Sequence, residues 1–305
     1  MKNQTNPNPA GLCLLLISAL MLLAAPVRAT TVVASIQPVY LLAREVLAPQ
    51  VQVQRLLPPG VTPHGFQMAV SQRRMLEQAD VIVWVGPQLE TFLTSVLRNK
   101  DNLALASVPA LQWPARGSDH SHNNSQKNSH NGQDPHIWLS PANALVMAQA
   151  IVEAVGRLEP SLQPALATNL ARFTQQLQAQ QRQWQQSLQA VSAQPWLLYH
   201  DAAQHFEQFF NLRQYQTVTR TPESKPGARY LHQLRQQITP GQCLLVEAYY
   251  PTKQADKLAQ EFNLRATPYD PLGTQANSYL ELISAMVRQV EHCLAPGLAT
   301  NNNSN

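Results

Sequence analysis

After residue 30 the chain alternates between two hydrophobic patterns. Short runs rich in Val, Ile and Leu predict buried strands, and longer stretches with apolar residues three or four positions apart predict helices. Ser71 can cap one of these helices. In the first half, the predicted strands are 31–36, 51–57, 81–85 and 103–106, and the predicted helices are 39–47, 71–79 and 88–97. This alternation predicts a mainly parallel sheet flanked by helices.

The second half of the chain repeats the pattern. Its predicted strands are 196–200, 215–219 and 243–247, and its predicted helices are 203–210, 228–238, 252–262 and 276–293. The sequence therefore predicts an α/β protein with two lobes of similar construction. We assign residues 30–160 to an N-terminal lobe, 161–193 to a connector helix, 194–296 to a C-terminal lobe and 297–305 to a disordered tail.

Helical periodicity continues between the two halves, over residues 141–158 and then 162–191. The longer stretch repeats apolar residues on one face, namely Leu166, Leu170, Phe173, Leu177, Trp184 and Leu188. Its Gln-rich part, residues 175–189, also fits a coiled coil or a prion-like segment. The position between two α/β halves favours a rigid connector, and about thirty residues at roughly 1.5 Å rise span about 45 Å.

Residues 1–29 resemble a cleavable signal peptide. Lys2 precedes an apolar run of about 14 residues, shorter than the roughly 20 that span a bilayer, and Ala29 ends a segment suited to signal peptidase. Cys13 lacks the neighbouring residues of a lipoprotein acceptor. We expect export, cleavage after Ala29 and a protein without a lipid anchor.

Net charge and length indicate which partners the chain can bind and how many domains it contains. Cleavage removes Lys2 and Arg28 and no acidic residue, so the formal charge of +4 becomes +2. The basic residues form no stripe with interleaved aromatic residues, which argues against nucleic-acid binding. About 276 residues remain, more than one core usually serves, which favours two domains. We expect a monomer.

Residues 117–135 are rich in Asn, Ser and His and poor in apolar residues. Such a composition cannot bury a core, so we predict an exposed, mobile loop. His120, His122 and His130 in this loop provide accessory metal ligands or are simply solvated, and the composition fits both alternatives equally. Two cysteines remain after cleavage, Cys243 and Cys293. An even pair in an exported chain favours a disulfide over two buried thiols.

Four short motifs each contain a residue that can bind a metal ion. They are Pro63-His64-Gly65-Phe66, the segment from Asp134 to Pro141 with His136, Tyr199-His200-Asp201, and Tyr269-Asp270-Pro271-Leu272-Gly273. We place each at the carboxyl end of a strand or just after it, the edge where open α/β sheets bind ligands. Three His and one Asp suit Zn²⁺, whereas Mn²⁺ and Fe²⁺ prefer more oxygen ligands. Taken singly, each His fits a structural role as well.

These motifs, in this order and with two lobes around a long helix, resemble the metal-binding cluster (cluster 9) of ABC-transporter solute-binding proteins, most closely its zinc-uptake branch of ZnuA type. The resemblance covers nearly the whole mature chain. It implies a periplasmic protein, not an enzyme, that holds Zn²⁺ between its lobes and delivers it to a membrane permease. It also implies His64, His136 and His200 as ligands, Asp270 as a carboxylate ligand, and a bridge between Cys243 and Cys293.

The fourth ligand is open at this stage. Some zinc-branch members carry Glu before the first His, where this chain has Pro63. Asp270, Glu247 or a water then completes the shell. Glu247 is a candidate because the manganese branch supplies a carboxylate from its second lobe, although this chain has His200 at the third ligand position, which favours zinc. His205 is a candidate for contact with a ligand, and an ordinary helix position is its alternative. His232 and His292 fall within predicted helices and are expected at the surface.

Three other functions compete with zinc uptake. A manganese- or iron-binding protein of the same family would use more oxygen ligands. A secreted zinc hydrolase would need an open coordination position and a nearby base, as in His-Glu-x-x-His, and this sequence contains no such motif. A periplasmic zinc buffer or adhesin without a transporter has no distinguishing sequence feature.

Overall fold

The computed structural model describes residues 29–114, 133–212, 215–219, 221, 224–249 and 253–295. The chain divides into two units at Thr30, and all elements below belong to the unit that begins at Thr31. The predicted signal peptide up to residue 28, the predicted loop up to residue 132 and the predicted tail 297–305 lie outside the described residues. Among the helices that are described, none has the length and apolar content of a membrane span.

The first sheet contains four parallel strands within the described residues, in the order β2-β1-β3-β4. The two central strands bury almost all of their side chains, as their continuous apolar runs predict. The strands are β1 (Thr31–Ala34), β2 (Gln52–Arg55), β3 (Val81–Trp84) and β4 (Asn102–Ala104), with helices α1 (Gln37–Leu47) and α2 (Val70–Gln78) between them.

Two local predictions in this lobe are wrong. Residues 88–97 contain only a short 3₁₀ turn at Thr91–Leu93. The buried Glu90 carboxylate accepts hydrogen bonds from the Gly86 N–H and the Ser35 hydroxyl, and both partners lie outside this segment, so tertiary contacts override its helical pattern. Leu89, Leu93 and Leu97 are buried, which explains the helix-like spacing. Ser71 does not cap α2. The residue before that helix is Ala69, whose N–H donates to the Gln72 side chain.

The second sheet repeats the first, with four parallel strands in the order β6-β5-β7-β8 within the described part. In both sheets the strand order reverses beside the first strand, so that later strands are added on its other side. The carboxyl ends of the strands at such a point form the usual ligand-binding crevice of parallel α/β sheets. The elements are β5 (Trp196–His200), α5 (Gln204–Phe210), β6 (Tyr215–Thr219), α6 (Ala228–Gln237), β7 (Cys243–Glu247), α7 (Lys253–Glu261) and β8 (Arg265–Tyr269).

Strand β8 was not among the predicted elements. Its residues Arg-Ala-Thr-Pro-Tyr carry little apolar character, and Pro268 argues against a strand. Burial nevertheless alternates along it, with Thr267 and Tyr269 facing inward. A proline is tolerated because β8 lies at the sheet edge, where one side of the strand needs no ladder hydrogen bonds.

Three long helices lie beside the two sheets. They are α3 (Pro141–Leu158), α4 (Gln163–Gln189) and α8 (Tyr279–Leu294). Helix α4 is the predicted connector, and it packs against α1 and α3 of the first half and against α8 of the second. At 27 residues it is about 40 Å long. Five of its six predicted apolar positions are buried, and Leu170 is partly buried. The Gln-rich stretch is therefore the solvent-facing side of a connector helix.

Side-chain hydrogen bonds also link the two halves beside the carboxyl ends of the strands. The Trp138 indole N–H donates to the carbonyl of Pro271 at 2.8 Å, and the Tyr279 hydroxyl donates to the carbonyl of Trp138 at 2.7 Å. Gln37 at the start of α1 donates to the carbonyl of Ala276 at 3.1 Å. Because these groups are buried or nearly so, losing either partner would leave an unpaired polar atom, which costs about 1–3 kcal/mol.

The predicted disulfide is confirmed. Cys243 at the start of β7 and Cys293 at the end of α8 are bonded, with their Cα atoms 5.5 Å apart. Strand β7 ends at Glu247, which lies at the candidate site described below, so the bridge fastens that strand to the last helix.

Removal of this bridge should destabilise the chain by about 4 kcal/mol, the chain-entropy value for a loop of 50 residues. Urea unfolding of the Cys243→Ala/Cys293→Ala variant against the oxidised wild type measures the difference. Wild type in reductant provides the control, because it should approach the stability of the variant. Equal midpoints for all three samples would contradict a stabilising role for the bridge.

Candidate metal site

Two buried histidines and one partly buried histidine meet between the two halves of the molecule. Each of His64, His136 and His200 offers a ring nitrogen, and these atoms all lie within 4.8 Å of one another. The ring centroids are 5.8 Å apart for His64 and His136, and 5.2 Å apart for each of the other two pairs. In a tetrahedral zinc site with bonds of about 2.0–2.1 Å, ligand nitrogens are about 3.3 Å apart. If the three rings moved slightly closer together, their nitrogen atoms could therefore hold an ion.

Each histidine is placed by a different kind of local structure. His200 is the last residue of β5 and lies at the crevice of the second sheet. His64 follows β2 in a tight turn, where its N–H donates to the Thr62 hydroxyl at 3.2 Å. His136 does not end a strand, contrary to our prediction. It precedes a 3₁₀ turn, Ile137–Leu139, that leads into α3. The three segments converge only when the two lobes are packed together.

Two of the histidines are backed by buried carboxylates. The Nδ1 atom of His136 lies 2.5 Å from Asp134 Oδ1, and the Nδ1 atom of His200 lies 2.8 Å from Glu247 Oε1. The Tyr269 hydroxyl also donates to Glu247 Oε1 at 3.2 Å. A carboxylate in this position fixes the tautomer, because Nδ1–H donates to it and the Nε2 lone pair is left for an ion. Glu247 Oε1 therefore orients His200, and Glu247 Oε2 is buried without a hydrogen-bond partner among the described residues.

The electrostatics of the site favour a cation. The Nε2 atoms of His64 and His200 are buried without a hydrogen-bond partner, which costs about 1–3 kcal/mol for each unless an ion or donor satisfies it. Burial, together with repulsion from His136 and His200, lowers the pKa of His64 to about 3, so its imidazole is neutral and able to ligate at neutral pH. Asp134 and Glu247 lie behind His136 and His200, where their carboxylates can offset part of the charge of a divalent ion.

Asp134 is an anion despite its complete burial. Burial alone would raise the pKa of its carboxyl group, but the charge and hydrogen bonds of His136, with a contribution from His205, lower that pKa to about 2. The carboxylate can therefore stay ionised and stabilise positive charge on the His136 ring or on an ion bound to that ring.

The structure does not bring Asp270 into the group of ligand atoms. Its Oδ1 accepts a hydrogen bond from the Leu272 N–H at 3.1 Å, and its Oδ2 accepts one from the Thr274 N–H at 2.6 Å. The same turn contains Gly273 at φ +64°, where a Cβ atom would lie 2.7 Å from Leu282. Both carboxylate oxygens thus stabilise a turn whose carbonyl at Pro271 contacts Trp138 of the other half.

The remaining histidines fall into three groups. His120, His122 and His130 lie outside the described residues, so their accessory role stays a prediction. His232 and His292 are exposed, as expected. His205 is buried in α5, and its two ring nitrogens contact Asp134 and Asn143. It is therefore not on an ordinary exposed helix face.

Sequence reasoning did not assign a role to Asp134 or Asn143. The available signal for Asp134 was its position two residues before a candidate ligand in Asp-Pro-His, a spacing that lets its carboxylate reach both the backbone N–H and the ring of His136. No sequence signal distinguished Asn143, because an Asn in the first turn of a helix is common.

Replacing Glu247 by Gln should weaken zinc binding 10- to 100-fold, the range for groups that orient a metal ligand. The matched control is Asp270→Asn, which should change the zinc Kd less than about threefold and lower the melting temperature, because the Asn amide cannot accept from the Thr274 N–H. Competition titrations with a zinc chelator and thermal melts of both metal-free variants measure the two effects. A larger loss of zinc affinity in Asp270→Asn would return Asp270 to the ligand set.

A pair of parallel α/β lobes, joined by a long helix and with three imidazoles in the cleft between them, defines the class of metal-binding solute-binding proteins. Residues 32–293 match the family model described as zinc-uptake complex component A, periplasmic. The chain belongs to this family.

The most similar relatives agree with that assignment. The chain is 31% identical over 307 residues to the high-affinity zinc uptake system protein ZnuA of Yersinia pestis, covering 92% of this chain and 96% of the relative. It is 28% identical to the protein of the same description from Paracoccus denitrificans, covering 92% and 97%. The periplasmic zinc binding protein TroA of Treponema pallidum has the same fold, with a TM-score of 0.73, 18% identity and coverage of 88% and 99%.

Proposed function

We propose that this chain captures Zn²⁺ in the cleft between its two lobes and delivers it to the membrane permease of an ABC-type uptake system. The observation that carries the proposal is the convergence of His64, His136 and His200, two of them backed by ionised or hydrogen-bonded carboxylates. Three nitrogen ligands and the absence of a carboxylate from this described group favour zinc over manganese, which prefers oxygen.

Export accompanies this function. Cleavage after Ala29 would release the mature chain into the periplasm, where the disulfide between Cys243 and Cys293 is stable. The relatives are described as high-affinity zinc uptake system proteins, and the family model as a periplasmic component of a zinc-uptake complex. In our proposal the chain is a monomeric carrier rather than an enzyme, and zinc is its cargo rather than a cofactor.

Capture also has a physical basis in the ligand geometry. Ligands drawn from segments on both sides of the cleft would hold the ion only while the lobes are packed together. Separation of the lobes would break up the ligand set, which gives a permease a route to remove a tightly bound ion. A catalytic zinc site instead keeps its ligands fixed and one position open through turnover.

Titration of the metal-free mature chain with zinc, in competition with a chelator of known affinity, tests capture. We expect one ion per chain, and weaker binding of Mn²⁺. Cu²⁺ is expected to compete, since it binds nitrogen ligands at least as strongly as Zn²⁺. Addition of the zinc-loaded chain to proteoliposomes with the ABC transporter of the same organism tests delivery, and ATP hydrolysis should increase. Zinc hydrolase activity on ester or peptide substrates would contradict the carrier assignment.

A further inference from the structure

The Asp134 carboxylate touches segments on both sides of the cleft. Its Oδ1 accepts from the backbone N–H of His136 at 3.0 Å and lies 2.5 Å from the Nδ1 atom of that ring. Its Oδ2 accepts from the N–H of Gln204 at 3.0 Å. Gln204 begins α5, four residues after His200 at the end of β5. One carboxylate thus connects two candidate ligands that come from opposite halves of the chain.

His205, the next residue of α5, also contacts the Asp134 segment, through the backbone carbonyl of Asp134. Its Nε2 atom lies 2.9 Å from the carbonyl oxygen of Asp134, and its Nδ1 atom lies 3.2 Å from the amide nitrogen of Asn143. A carbonyl can only accept and an amide NH₂ can only donate. Nε2–H therefore donates to Asp134, and Nδ1 accepts from Asn143. With both nitrogens engaged, His205 is not available as a metal ligand.

Asn143 completes this arrangement from α3. Its side-chain oxygen accepts from the Gln112 N–H at 2.9 Å, and its side-chain nitrogen donates to the Gln112 carbonyl at 2.9 Å. These bonds fix the orientation of the Asn143 amide, so the hydrogen that points to His205 is determined. The His205 ring also packs edge-on against Trp113, with centroids 5.5 Å apart. Asn143 and His205 are both almost completely buried.

We infer that Asp134, Asn143 and His205 form a clasp that sets the position of His136 relative to His200 before zinc binds, with His205 as a positioning residue. The clasp rests on the proposed function, since it acts on two of the three proposed ligands. Its physical effect is preorganisation. Ordering a ligand side chain costs free energy on binding. Because hydrogen bonds already hold the backbone N–H and the ring of His136, this residue does not incur that cost when the ion binds.

Substitutions at His205 can either remove or keep its two hydrogen bonds. His205→Phe keeps an aromatic ring against Trp113 and removes both hydrogen bonds. His205→Gln keeps a side-chain amide donor that can reach the Asp134 carbonyl, and an amide oxygen that can accept from Asn143. His232→Phe is the matched control, because His232 is an exposed helical histidine with one hydrogen bond, to Gln236.

Zinc titrations of these variants test the inference. We expect His205→Phe to raise the Kd about tenfold or more, in the range for groups that orient ligands, while His205→Gln and His232→Phe stay within about threefold of wild type. Should His205→Phe fail to fold, Asn143→Ala gives the same measurement, because it removes the amide that donates to His205.

A double-mutant cycle separates positioning from general destabilisation. Because His205 acts through the Asp134 segment, His205→Phe should add little to the loss caused by Asp134→Asn, but its effect should add to that of Glu247→Gln. A wild-type Kd for His205→Phe, or additive losses with Asp134→Asn, would overturn the clasp. Failure of the wild-type chain to bind zinc would instead overturn the proposed function.

Discussion

Alanine at His64, His136 and His200 together should abolish stoichiometric zinc binding, whereas alanine at His120, His122 and His130 together should change the zinc Kd less than about tenfold. The first three side chains form one group of ligand atoms in the cleft. The other three belong to a segment rich in Asn and Ser and poor in apolar residues, for which the sequence predicts an exposed loop. We expect each single substitution in the first group to raise the Kd at least about 100-fold, or about 2.8 kcal/mol.

Competition titration of the two triple variants beside wild type measures this difference. The two variants are matched in the number of histidines removed, so a difference between them cannot come from the number of imidazoles alone. Near-ultraviolet circular dichroism of the metal-free proteins checks that the fold is retained. Equal losses of affinity in the two variants would contradict the assignment of the site.

Zinc should also raise the thermal stability of the mature chain strongly. An ion that binds only the folded state stabilises it by about 4 kcal/mol at a thousandfold excess over Kd. For a chain of this size that corresponds to an increase of roughly 8–16 °C in Tm. Scanning calorimetry with zinc, with chelator and with Mg²⁺ measures the increase, and only zinc should produce it. The triple variant at His64, His136 and His200 should show none.

The stabilisation by zinc should shrink in acid, because imidazole ligands must be neutral to bind. The metal-free chain should also lose stability in acid. Since the folded-state pKa of His64 is lowered to about 3, the unfolded chain binds more protons below the ordinary value of about 6.5, and stability falls as the pH drops from there towards 3. Melting at pH 7.5 and pH 5 separates the two effects, and an unchanged zinc increment at pH 5 would contradict imidazole ligation.

The strands and the ligand histidines were predictable from sequence because each has a strong local signal. Buried parallel strands such as Val81–Trp84 and Cys243–Glu247 are continuous apolar runs. The connector helix shows one apolar face over 27 residues. Local signals were weaker where tertiary contacts decide the structure, as in β8, whose strand conformation depends on pairing with β7. The helix expected at residues 88–97 does not form, and there the Glu90 carboxylate bonds to Gly86 and to the distant Ser35, contacts that the local pattern cannot predict.

The candidate site was predictable only in part, for a similar reason. His64, His136 and His200 occur in recognisable motifs, so the sequence identified them. Asp270 was expected to supply negative charge, because three neutral imidazoles leave a buried divalent ion uncompensated. The structure provides that charge through Asp134 and Glu247, which lie behind two of the rings. Asp134 had a local signal in its Asp-Pro-His spacing, but Glu247 faces His200 only because β5 and β7 are paired, and no spacing in the sequence specifies that contact.

The central claim is that one zinc ion binds between His64, His136 and His200. Anomalous diffraction from crystals of the zinc-loaded mature chain, recorded on both sides of the zinc absorption edge, tests it most directly. We expect a single strong peak about 2.0–2.1 Å from the Nε2 atoms of all three rings, and the peak should be missing from crystals of the metal-free chain. A strong zinc peak elsewhere with none between these three histidines would contradict the account.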